Sequence, residues 1–158
     1  MRLTLIATAT LAATTAALST HALAENHGDH AETDDQALMI VTSDAIETQS
    51  MAMILGNAMR QQGTDLHILL CDTAGDLAVD GYASEAPINT PPGNPMEKLA
   101  PEGLLKMMMG EGVSVDVCAI YLPNTDHEEE DLLEGVGVAS PGPMAEMMRD
   151  PAIPVFEF

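Results

Sequence analysis

GVSVDVCAIYLPN, residues 112–124, reads as a β-strand over 113–122 that carries Cys118 and is stopped by Pro123, which cannot donate to a ladder. Its partners lie upstream. ALMIVT, residues 37–42, is a short, continuously apolar run, the mark of a strand buried on both faces. LHILLC, residues 66–71, is the second strand, and it ends on Cys71 and the turn-forming Asp72-Thr73-Ala74-Gly75. Between these two strands, Met51, Ile54, Leu55, Ala58 and Met59 recur at helical spacing over residues 48–62, and Gly63 ends the helix.

The same alternation continues to the end of the chain. Residues 84–95 hold Pro87, Pro91, Pro92 and Pro95 and form a surface loop. A helix is expected over 96–110, entered afresh at Pro101, with Leu104, Leu105, Met107 and Met108 on its apolar face. Thr125 and Glu128 make a T-x-x-E capping box, so another helix is expected from Thr125, its acidic start favoured by the helix dipole. Ser140-Pro141 opens a last helix to Met148, and residues 153–158 form a final strand that Pro154 restricts to an edge. The expected fold class is α/β: an open, mainly parallel sheet of four to five strands with helices on both faces.

The first 24 residues have the form of a secretory leader: Arg2, an apolar stretch over 3–18, and the small-x-small site Ala22-Leu23-Ala24. The stretch is too short for a membrane span, and the expected destination is the periplasm. Removing 24 residues from 158 leaves 134, a single-domain length: a disordered acidic and histidine-bearing tail over 25–36, then the domain over 37–158. All 25 acidic residues lie beyond the leader, against five lysines and arginines, and the formal charge is −20. Such a surface repels nucleic acid and anionic lipid, so neither is expected as a partner.

Parallel sheets of this kind place their functional crevice beyond the carboxyl ends of the strands, near the point where strand order reverses. Cys71 and Cys118 both fall at that rim. With the strand order 2-1-3, the first strand would separate them by two strand spacings, ~9.5 Å, beyond the ~7 Å that a bridge spans. Two free thiols on one rim are therefore expected, with a redox pair as the competing reading. The flanking Asp116, Asp126, Glu128, Glu129 and Glu130 disfavour a thiolate at Cys118, and only the helix expected from Thr125, or His67 or His127 brought close by folding, would favour one.

These residues carry a resemblance. LHILLCDTAGDLAV after the first helix, GEGVSVDVCAIYLPN as the third strand and the closing PVFEF resemble the DsrE/DsrF-like (TusD-like) sulfur-relay superfamily over nearly all of residues 37–158. The resemblance implies a small α/β protein, trimeric or hexameric, in which Cys118 carries a persulfide between a donor and an acceptor protein. Cys71 would line the same rim, and the activity would be that of a sulfurtransferase or sulfur carrier without a cofactor.

A rival reading is a non-catalytic binding protein. Cleavage after Ala24 would expose Glu25-Asn26-His27, whose amine, amides and imidazole suit Cu(II), with His30 close by. The twelve methionines, including Met107-Met108-Met109, Met144, Met147 and Met148, suit Cu(I) in principle but are placed as core or interface residues in a chain that is 3% aromatic. Residues 127–131 lack the glycine turn and ligand spacing of a calcium loop. No Gly-rich phosphate loop, G-x-S-x-G elbow or CxxC occurs.

Overall fold

The computed structural model describes residues 35–85, 87–93 and 100–158. The leader and tail, including His27 and His30, lie outside the described residues. Five strands, β1 (Gln36–Val41), β2 (Asp65–Leu70), β3 (Ser114–Val117), β4 (Gly137–Val138) and β5 (Val155–Glu157), form one sheet in the order β4-β3-β2-β1-β5. Every pairing is parallel. The three helices are α1 (Ile46–Gln61), α2 (Pro101–Gly110) and α3 (Pro141–Arg149).

Buried residues divide the sheet into two faces. Ala37, Met39, Val41, Leu66, Ile68, Leu70, Val115 and Val117 pack with Ala52 and Met53 of α1 and Leu104, Leu105 and Met108 of α2. The opposite face holds Leu38 and Leu69, which pack with Ala139 and with Met144 of α3. This division explains why residues 37–41 of β1 read as an unbroken apolar run and why residues 66–70 of β2 are broken only by His67: helices pack on both sides, and His67 is accommodated by its pairing with Asp116. Pro101 occupies the first turn of α2, where its missing N–H costs no intrahelical bond.

The expected order 2-1-3 is corrected to 3-2-1. Both early crossovers, through α1 and through α2, step in the same direction along the sheet and cover the same face. Only the last crossover, through α3 on the other face, returns to lay β5 beside β1. The direction of each step is set by how helices share a face, and no local residue pattern records it.

Two further expectations change. No helix begins at Thr125: the chain makes short 3-10 turns at Leu122–Asn124 and Glu129–Asp131. The capping box belongs to Glu128 and Asp131 rather than Thr125 and Glu128. The third strand is also shorter than expected, ending at Val117, one residue before the cysteine. The final strand does lie at the edge of the sheet, and Pro154 contributes its carbonyl to the N–H of Leu38, at 3.0 Å.

Candidate functional site

The carboxyl ends of β2 and β3 are neighbours, and each strand hands over to its cysteine in register. The Cys71 N–H donates to the Val41 carbonyl at 2.9 Å, and the Cys118 N–H donates to the Leu70 carbonyl at 2.8 Å. Their Cα atoms are 5.0 Å apart, and the two sulfurs form a disulfide. The expectation of two free thiols is thereby overturned. It rested on β1 standing between the cysteine-bearing strands, and with β2 and β3 adjacent the separation falls within the usual range for a bridge. The site also lies away from the β1/β5 boundary where the winding reverses.

After Cys71 the chain leaves the sheet abruptly. Asp72 takes a positive φ of 53°, a conformation that aspartate tolerates better than most side chains. A 3-10 segment, Asp72–Ala78, follows. After Cys118 the chain turns through Ile120 and Tyr121 into the Leu122–Asn124 turn. These segments form the two walls of an open cleft of about 630 Å³, lined by Cys71, Asp72, Thr73 and Asp76 on one side and by Cys118, Ile120, Tyr121, Asn124 and Thr125 on the other. Both cysteines are half-buried. Ile120, 71% exposed, stands at the rim.

The walls are joined by more than the bridge. The Tyr121 hydroxyl donates to Asp76 Oδ1 at 2.6 Å across the cleft. Its ring lies against Gly75 so closely that any Cβ there would run into it, which explains the glycine. Farther along, the Leu133 N–H donates to the Ala78 carbonyl and the Asp80 N–H to the Asp131 carbonyl, both at 2.8 Å. Burial, followed by the hydrogen bond to the Asp76 carboxylate and its charge, holds the Tyr121 phenol well above its ordinary value of 10.0. Tyr121 therefore stays a neutral donor.

The electrostatic character of the cleft is acidic. Among the described residues, Asp72 and Asp76 are its charged lining residues, and no lysine or arginine lines it. His67 is engaged elsewhere: its Nε2 is 2.9 Å from Asp116 Oδ2, on the sheet face that bears α3. The Asp116 carboxylate lies over Gly137, where a Cβ would strike it. His127 stacks on Tyr121 with ring centroids 6.3 Å apart, behind the cleft wall.

Sequence reasoning placed both cysteines at one rim but missed Asp72, Thr73, Asp76 and Tyr121 as their neighbours. The available signal was that Cys71 is followed at once by the short polar and turn-forming Asp72-Thr73-Ala74-Gly75; nothing comparable follows Cys118 before Pro123. The copper reading at His27 and His30 falls outside the described residues. Among the described residues, no group of three histidine, cysteine, aspartate or glutamate side chains is placed to hold a metal ion.

The architecture is an open α/β fold built on a five-stranded parallel sheet. Solved structures of that shape match the chain. The YchN protein of E. coli superposes with a TM-score of 0.60 at 19% identity, covering 78% of this chain and 99% of that one. MTH1491 from Methanobacterium thermoautotrophicum, a protein of unknown function, superposes with a TM-score of 0.55 at 16% identity, covering 79% of this chain and 100% of that one. Identities this low establish the shared fold alone. No protein-family model matches the chain, and no curated protein matches it.

Proposed function

We propose that this protein handles sulfur through the Cys71–Cys118 couple, with Cys118 as the position that carries a persulfide and Cys71 as its resolving partner. The observation that carries the reading is the meeting of the chain's two cysteines, 47 residues apart, half-buried in the wall of an open cleft. A bridge serving only as a staple has no need of such access. Resemblance to the sulfur-relay superfamily supports the choice of Cys118.

The couple supplies its own oxidising equivalents. Hydrosulfide attacks Cys118 Sγ, the S–S bond breaks, and its electron pair leaves on Cys71 as a thiolate, so that Cys118 bears –S–SH. An acceptor thiolate then attacks the outer sulfur and takes it away as its own persulfide, leaving Cys118 as a thiolate. If no acceptor arrives, the Cys71 thiolate attacks Cys118 Sγ, expels hydrosulfide and recloses the bridge. In the reduced protein, the Cys118 thiolate takes the outer sulfur from a donor persulfide and releases the donor as its thiolate. The acidic neighbours disfavour an isolated thiolate, so reclosure by Cys71 with loss of hydrosulfide competes with transfer to the acceptor.

On the same reading, residues 1–24 direct the chain to the periplasm, an oxidising compartment in which such a bridge persists. Copies of the chain associate, and the exposed Met51 and Leu55 of α1 and Met107 of α2 are among the apolar residues available to an interface.

Intact mass after treatment of the reduced protein with a persulfide donor tests the assignment. An added mass of about 32 Da, one sulfur, should be retained in Cys71→Ser and lost in Cys118→Ser, and in the wild type it should be transient, giving way to the bridged protein as Cys71 expels hydrosulfide. Its absence from both the wild type and Cys71→Ser would remove the carrier role.

A further inference from the structure

The cleft around the bridge is selective in its chemistry as well as open. Two carboxylates, Asp72 and Asp76, face it, and among the described residues no lysine or arginine lines it. Asp72 directly follows one of the reacting cysteines, and its carboxylate is exposed. Asp76 is held by Tyr121 in an orientation that leaves a fixed negative charge on the wall. The attacker in thiol–disulfide exchange is an anion, a thiolate, and it must approach the S–S bond within a few ångströms of these groups. A chain with a formal charge of −20 adds a long-range field of the same sign.

Resting on the sulfur-handling reading, we propose that the couple takes as substrates sulfur nucleophiles whose reacting sulfur lies beside a positive charge, aminothiols or cysteines flanked by basic residues, and discriminates against anionic thiols, with Asp72 as the specificity-determining residue. A neighbouring ammonium or guanidinium cancels the thiolate's charge and pairs with the Asp72 carboxylate as the sulfur reaches the bridge. The thiolate attacks Cys118 Sγ to form a mixed disulfide, and Cys71 departs as a thiolate. A second thiolate attacks the substrate sulfur of the mixed disulfide, leaving the reduced Cys71/Cys118 pair and a substrate disulfide. Ile120, exposed at the rim, offers apolar surface in the same cleft as the sulfurs, against which the short carbon chain of such a thiol can lie. The exchange needs no other oxidant or reductant.

The test uses three small thiols of similar size on the oxidised, full-length chain. As thiolates, cysteamine carries no net charge, 2-mercaptoethanol one negative charge and 2-mercaptoethanesulfonate two. Bridge opening is followed by alkylation of the released thiols and intact mass. Rates are divided by thiolate concentration and by the rate of the same thiolate on an uncharged small disulfide, which removes differences in intrinsic nucleophilicity. The corrected rates should fall in the order cysteamine, 2-mercaptoethanol, 2-mercaptoethanesulfonate, spanning on the order of tenfold at low ionic strength and closing up near 1 M salt.

Asp72→Asn should narrow that span several-fold, because asparagine also accepts the positive φ and removes only the charge. Glu146→Gln on α3, away from the cleft, should leave the span unchanged; an equal narrowing there would overturn the role given to Asp72. Equal corrected rates for all three thiols would overturn the selectivity while leaving the sulfur-handling couple intact. A bridge that none of the three opens in the folded protein would overturn that underlying reading itself.

Discussion

Tyr121 shows how much of the site one side chain organises. Its ring is 3% exposed and fills the space over Gly75, while its hydroxyl spans the cleft to Asp76. Removing the hydroxyl in Tyr121→Phe takes away a charge-assisted hydrogen bond and leaves Asp76 short of a partner, a loss of about 2 kcal/mol. The raised phenol also sets a sign for alkaline behaviour. Below pH ~10 the tyrosine is protonated in both states and its contribution is fully present. Above it the unfolded chain gives up the proton while the folded chain retains it, so stability falls as pH rises toward the folded value. Urea midpoints between pH 9 and 11 should decline in the wild type and decline less in Tyr121→Phe; identical slopes would contradict the burial of a neutral phenol. Nothing in the sequence marked this residue, because its role depends on a glycine 46 positions away and on the adjacency of two strands.

Among the elements, the two faces of the sheet are covered unequally. α1 and α2 share one face, while α3, only nine residues long, covers the other. Met144, 8% exposed, anchors α3 against Leu38 and Leu69, whereas Met148 on the same helix is 52% exposed. Met144→Ala should therefore cost about 2–4 kcal/mol in a denaturant titration, and Met148→Ala less than about 0.5 kcal/mol. A similar loss at both positions would mean that α3 is held differently. The element types were legible where the pattern was dense: two apolar runs for β1 and β2, helical spacing for α1, a proline-led start for α2. The expectation failed over residues 118–138, where each piece is only two or three residues long and the capping signal at Thr125 had no apolar repeat behind it. The order of strands was beyond local reading, and with it went the correct state of the cysteines.

For the molecule as a whole, the bridge closes a loop that contains α2 and the proline-rich segment, with the cysteines 47 residues apart. Closing a loop of that length stabilises the folded state by about 4 kcal/mol in the chain-entropy view, a large share of the ~5–15 kcal/mol typical of a domain. A couple that cycles must nevertheless leave the protein folded when open. The ladder between β2 and β3, the Tyr121–Asp76 contact and the backbone bonds between residues 78–80 and 131–133 all persist without it. Reduction should lower the thermal midpoint by roughly 10 °C or more while leaving the far-ultraviolet circular dichroism at room temperature unchanged. Collapse of that signal on reduction would mark the bridge as a structural staple and end the case for turnover.

The two outermost strands have a consequence of their own. β4 is two residues long, and β5 is three, preceded by a proline. Neither margin presents the long row of unpaired amides on which a stranger's backbone could zip up, so the sheet is blunted against fibre-like growth at both ends. A second copy that docked here would have to do so through side chains, a mode that a single substitution can weaken and that backbone pairing would not so easily be made to release.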